Sequence, residues 1–182
     1  MKNIYISLIL FGIIGLFLSI LDFIEYLKYE KIRPKRIEKW LDLKPFSDFK
    51  MKKFEKQNSY YRGIINNYFV LVGIEWEDYQ KNPSYYLKVL FNPYSKDKIM
   101  SFNHFIKKND FGNTDYFNDL QSLNKYYNKK EFSKINYIDL NREINKMIDY
   151  LVKNNFKSIS LVKWNKSKDY VCEVKEDYLK RV

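Results

Sequence analysis

Between Ile4 and Leu21 the chain runs for eighteen residues without a charge, and thirteen of them are Leu, Ile or Phe. As a helix, such a run is about 27 Å long, close to the ~30 Å hydrocarbon core of a bilayer. At about −0.3 to −0.6 kcal/mol each, the thirteen outweigh the two Ser and two Gly on the insertion scale. The run has no polar face, which separates it from the amphipathic helix of a soluble core. A cleaved leader needs small residues just beyond its apolar stretch. Here Ser19 is followed by Ile20, Leu21, Asp22 and Phe23, no alanine occurs in the chain, and the single cysteine is the distant Cys172. The expectation is an uncleaved, single-pass signal-anchor over residues 1–33, with an amphipathic extension past Leu21 that stops near Arg33. Pro34 disfavours helix at the residue before it.

Phe23, Tyr26 and Tyr29 follow the run where an interfacial aromatic belt belongs. Gly12 and Gly15 are too close in sequence for the small-xxx-small spacing that pairs membrane helices. Lys2 precedes the run, whereas Lys28, Lys31, Arg33, Lys35, Arg36, Lys39 and Lys44 follow it. The positive-inside rule then expects the carboxyl-terminal domain in the cytoplasm.

A formal charge of +11 invites a nucleic-acid reading, and the kind of cation argues against it. The chain has twenty-eight Lys and five Arg, together with nineteen Ile, eighteen Asn, seventeen Tyr and fourteen Phe. These abundant residues share AT-rich codons, so an AT-rich genome accounts for the lysines. Arg, the residue suited to bidentate phosphate contacts, is scarce. Residues 22–57 hold eleven basic and seven acidic groups, so the basic density lies next to the anchor.

Residues 34–57 read as a basic juxtamembrane segment. Ile37, Trp40 and Leu41 fall at helical spacing among lysines, the pattern of a short helix lying on a membrane or packing on the domain. Phe46, Phe49 and Phe54 then alternate with Lys50, Lys52, Lys53 and Lys56. Trp40 and these four lysines are the candidate lipid-binding residues, at about 1 kcal/mol per lysine near an anionic surface. A solvated linker is the alternative.

Residues 58–182 read as an α+β domain of about four mostly antiparallel strands and about three helices. The strands are expected at Tyr68–Trp76, Tyr85–Phe91, Ser158–Trp164 and Tyr170–Val174. The helices are expected around Phe102–Ile106, from a Thr114 cap with Phe117, Leu120, Leu123 and Tyr127 as its stripe, and from an Asp139 cap with Leu140, Ile144, Ile148, Leu151 and Val152.

Candidate chemistry is sparse. His104 is the lone histidine and has no partner by spacing; Cys172 sits in a presumptive strand as a small apolar side chain. Glu75 and Glu77 point to one face of a strand, a geometry that suits a divalent cation or a solvated strand end. Asp169 followed by Glu173-Val174-Lys175 resembles the core of metal-dependent restriction-type nucleases over seven residues. The resemblance implies that the carboxylates hold Mg²⁺ and the lysine assists the attacking water. Its three-residue part recurs at Asp42-Leu43-Lys44 and Asp48-Phe49-Lys50. No glycine-rich phosphate loop or CxxC pair occurs, and no cofactor is expected.

The leading expectation is therefore a membrane-anchored, non-enzymatic protein whose domain binds a protein partner near the membrane, an immunity-type protein being one concrete form. A membrane-tethered metal-dependent hydrolase or nuclease and an anionic-lipid surface module are the alternatives.

Overall fold

The computed structural model describes residues 2–76, 82–92, 94–95, 98–99, 115–118 and 121–167. It opens with helix α1, Lys2–Tyr26, whose described side chains are exposed on every side, Phe11 at 76 %. The helix does not stop at Pro34. A π-helical turn, Leu27–Ile32, passes directly into α2, Arg33–Leu41, and the N–H of Arg33 donates to the carbonyl of Lys28. A proline inside a regular helix lacks a donor and its ring collides with the carbonyl four residues back. The wider turn immediately before Pro34 opens that spacing, so the helix continues where the sequence expectation ended it.

After α2 come α3, Phe46–Met51, and strand β1, Glu55–Lys56. The three phenylalanines of this lysine-rich stretch turn inward: Phe46, Phe49 and Phe54 are all buried in the main core. Strands β2, Tyr60–Ile65, and β3, Tyr68–Glu75, form a hairpin. Its two-residue loop, Asn66-Asn67, has φ of 48° and 66°, the positive values a tight hairpin turn requires. β4, Ser84–Leu90, follows, then a small separate hairpin of β5, Tyr94–Ser95, and β6, Lys98–Ile99. β7, Phe117–Asn118, and β8, Ser122–Tyr127, complete the main sheet.

That sheet is antiparallel throughout, in the order β1-β2-β3-β4-β8-β7. With helices packed on it, the class is α+β as expected. Among the described residues this sheet has six strands rather than about four, the outermost two being two residues long. Helices α4, Lys129–Phe132, and α5, Tyr137–Lys153, follow the sheet, and residues 161–167 form a last helix, α6.

Two expectations about local structure are corrected. The helix expected from Thr114 is instead strand: Ser122–Tyr127 pairs with β4 over six rungs from Tyr85↔Tyr127 to Leu90↔Ser122. Leu123 faces the core, and Ser122 and Asn124 are buried, the Ser122 hydroxyl donating to Asn124 Oδ1 and the Asn124 amide donating to the Ser122 carbonyl. Cross-strand pairing overrode a helical stripe that was fortuitous. The strand expected at Ser158–Trp164 is an extended segment followed by α6, whose first turn is capped by the Ser160 hydroxyl accepting from Lys163 N–H at 3.4 Å. The α5 helix starts one turn earlier than expected. Asn136 is its cap and Asp139 the reciprocal partner in a capping box, while Met147 rather than Val152 faces inward. The helix expected at Phe102–Ile106 and the strand at Tyr170–Val174 lie outside the described residues.

Both faces of the sheet are covered. Tyr61, Val70, Val72, Ile74, Leu87, Val89 and Leu123 pack against α2, α3, α4 and α5. On the other face Leu71, Tyr86 and Leu90 meet Ile159, with Leu161 and Trp164 of α6 alongside. Gly73 is needed there: a Cβ would stand 2.6 Å from the Ser59 carbonyl and 2.7 Å from the Tyr86 hydroxyl.

Candidate functional site

The long helix meets the sheet through a stack of alternating rings and cations. Tyr29 lies in the π-helical turn, and Arg33 four residues later places its guanidinium 4.2 Å from the Tyr29 ring centre. The same guanidinium is 4.8 Å from the ring of Trp76, just beyond β3. Trp76 stacks on Trp40 of α2 at 5.6 Å, and Lys129 of α4 places its ammonium 5.7 Å from Trp40. Arg33 is only 4 % exposed. Cation–π contacts are worth about 0.5–1 kcal/mol at exposed sites and about 2 when desolvated, so the buried Arg33 pair is the strong part of the clamp. The stack ties an element emerging from the apolar run to three elements of the domain.

Beside the clamp is a groove of about 230 Å³ walled by Trp40, Phe46, Tyr85 and Phe132. Lys44 and Lys129 stand at its edge with Leu43 and Ser133, and no carboxylate lines it. Phe46, Tyr85 and Phe132 pack on one another at 4.7–6.1 Å between ring centres, which makes a rigid aromatic floor. Two larger grooves are more polar. One of about 500 Å³ is lined by Pro34, Lys35, Glu38, Lys56, Gln57 and Asn58. The other, about 520 Å³, runs past Lys52, Lys53, Arg62 and Ile64, and within it Arg62 is bridged to Glu55.

A separate polar cluster joins β8 to α5. Glu143 accepts from Lys125 at 2.8 Å and from the Tyr116 hydroxyl at 2.9 Å. Burial pushes the Glu143 carboxyl up, and those two hydrogen bonds more than reverse it, so its pKa lies below the ordinary value. Burial first, then Glu143 (through its hydrogen bond with Tyr116 and through its charge near Tyr127), raises both tyrosine hydroxyls above their ordinary pKa. These hydrogen bonds and ion pairs tie β8 to α5, so the cluster reads as a structural tie.

The expected site residues scatter. Glu75 is bridged to Lys88 at 3.9 Å, and Lys88 in turn lies over the Tyr86 ring at 4.6 Å. Its expected partner Glu77 lies outside the described residues, as do Asp169, Glu173, Lys175, His104 and Cys172. No group of three His, Cys, Asp or Glu side chains that would hold a metal occurs among the described residues. Trp40 is half-buried in the clamp. Lys56 is held by Asp42 at 2.6 Å, and that hydrogen bond raises its pKa. Lys50, Lys52 and Lys53 are exposed, as is Met51, and Lys52 and Lys53 line one groove with Ile64. The clamp residues Tyr29, Arg33, Trp76 and Lys129 were not anticipated. The four-residue spacing of Tyr29 and Arg33 was the visible sign; Trp76 and Lys129 arrive from remote segments.

The chain is 32 % identical over 117 residues to an uncharacterized protein of Methanocaldococcus jannaschii, across 60 % of this chain and 71 % of the archaeal protein. The two belong to one family. No family model and no solved structure matches the chain. The archaeal relative's name states no activity, so function rests on the geometry above.

Proposed function

We propose that this chain is a single-pass membrane protein whose residues 4–21 cross a bilayer, and whose α+β domain binds a protein partner near the membrane without catalysing a reaction. Among the described residues one helix is long and apolar enough to cross. The observation that carries the reading is the clamp. A helix exposed on all sides over residues 10–26 runs without a break into the domain core and is fixed there by Arg33, Trp76 and Trp40. A rigid junction holds the domain in one orientation relative to the anchor, which a docking domain uses to present the same surface to every partner. The lysine and arginine excess after residue 21 favours the cytoplasmic side for the domain.

The test is recovery of the full chain from membranes in mild detergent. A partner recovered in fixed stoichiometry is the expected result. Recovery of the chain alone, across several detergents and salt concentrations, overturns the reading. For topology, Cys172→Ser with a cysteine added after Val182 should resist an impermeant maleimide until cells are permeabilised; labelling of intact cells places the domain outside.

The exposed run of residues 50–53, with Met51 within it and Lys52 and Lys53 lining one groove with the exposed Ile64, favours a second reading, contact with anionic lipid. Slowed hydrogen exchange over residues 50–64 in anionic but not zwitterionic nanodiscs supports it. Equal exchange in the two removes it.

A further inference from the structure

The aromatic groove differs from the other two grooves in chemistry as well as size. Its walls are four rings, three of them almost wholly buried, and its charged edge is made of Lys44 and Lys129 alone. At about 230 Å³ it falls below the roughly 300–1,000 Å³ of a site for a whole small molecule. Such a volume suits one large apolar side chain entering from a partner, the usual form of an interface anchor. Leu43, 55 % exposed at the rim, extends the apolar contact. Two lysines without a carboxylate among the lining residues select acidic neighbours of that side chain and repel basic ones.

We propose that this groove docks an acidic segment of a protein partner, seating one phenylalanine or other large apolar side chain among Trp40, Phe46, Tyr85 and Phe132. Flanking carboxylates of the segment pair with Lys44 and Lys129. The proposal rests on the reading that the domain binds a protein. Lipid is disfavoured as the occupant because the groove is too small for an acyl chain. Trp40 also follows Leu21 by nineteen residues of continuous helix, about 28 Å along the axis. Occupation would bear directly on the clamp, since Trp40 and Lys129 belong to both.

The experiment presents a random-peptide display library to the full chain in zwitterionic nanodiscs, with the Lys44→Glu, Lys129→Glu double variant as the counter-target. Both lysines are exposed, so the variant should fold and lose only the exposed contact of Lys129 with the Trp40 ring; its melting curve is recorded beside that of a Lys44→Glu single variant, which leaves that contact in place and should still weaken binding. Expected is enrichment of sequences with a large apolar residue between acidic ones. A synthetic peptide of that type should bind the variant at least about tenfold more weakly and lose binding when the apolar residue becomes serine. Enrichment without an acidic bias, equal binding to the variant, or no enrichment overturns the groove proposal. Pull-downs separate this from the broader reading. A partner retained by the double variant leaves the reading standing and removes the groove, whereas no partner with either protein removes the reading itself.

Discussion

Along one continuous helix, residues 10–26 are exposed on every side, while in α2 Leu41 is fully buried and Ile37 and Trp40 pack on the core. The backbone is helical in both halves, yet what holds them differs. The first half is apolar all round and takes its stability from whatever apolar medium surrounds it. The second half has a mean composition too polar for a membrane and takes its stability from one packed stripe. The change of regime occurs at the π-helical turn Leu27–Ile32, where Arg33 and Tyr29 begin the clamp. Secondary structure therefore says little about which half depends on the domain, and substitutions separate the two.

The largest contrast is in side-chain truncation. Phe49 is fully buried between Phe54 and Tyr137, with ring centres 5.1 and 4.9 Å away. Phe49→Ala should destabilise the domain by about 3–5 kcal/mol in chemical denaturation. Phe17→Ala, on an exposed surface of α1, should leave the same transition unmoved. Equal losses from the two would mean that the halves are not independent.

The glycines give a smaller version of the same contrast. At Gly73 a Cβ meets the Ser59 carbonyl and the Tyr60 side chain, at 2.6 and 2.5 Å, so backbone must shift. Gly73→Ala should cost about 1–3 kcal/mol of domain stability, as overpacking does. At Gly15 a Cβ meets nothing within 4 Å. Gly15→Ala should leave the domain transition in place and strengthen α1 by up to about 1 kcal/mol, visible as slower amide exchange there.

How much of this was legible in the sequence follows the same division. The apolar run of α1 and the strands β3 and β4 show themselves because long uniform patterns leave few alternatives. The stretch 46–57 hid its role because its lysines are exposed and dominate its composition, while Phe46, Phe49 and Phe54 face the core. Residues 122–127 carry part of a helical stripe, Leu123 and Tyr127, and no clean alternation, so only their pairing with β4 shows the strand. β2 went unread although Asn66-Asn67 between apolar runs is a hairpin signal. The clamp could be read only in part, since Trp76 and Lys129 are brought to Arg33 and Trp40 by tertiary structure, and no spacing within a helix encodes that. The aromatic groove has the same origin, its four rings coming from α2, α3, β4 and α4.

Trp76 joins the halves, so removing it tests whether they move together. Trp76→Ala deletes the ring between Arg33 and Trp40 and should lower domain stability by about 1–2 kcal/mol, the order of a lost stack and a lost cation–π contact. Spin labels at Asp22 and Lys146, both exposed, report the distance between α1 and the domain. Their distance distribution should be narrow in the parent and broad in the variant. An unchanged width would show that α2 packing alone fixes the orientation and would reduce the clamp to a minor contact.

The smallest expected effect is acid sensitivity, and it should belong to the domain alone. Glu143 has a folded pKa below its ordinary value, because Lys125 and Tyr116 hydrogen-bond the carboxylate. A depressed pKa contributes stability that is fully present above the unfolded value, near 4.5, and is lost as pH falls through the folded one. The domain melting temperature should therefore hold steady down to about pH 5 and decline below it. Glu143→Gln should lower stability at neutral pH and flatten that decline, while the helicity of α1 stays level over the same range. A decline of equal slope in the variant would show that the Glu143 tie does not carry the acid response.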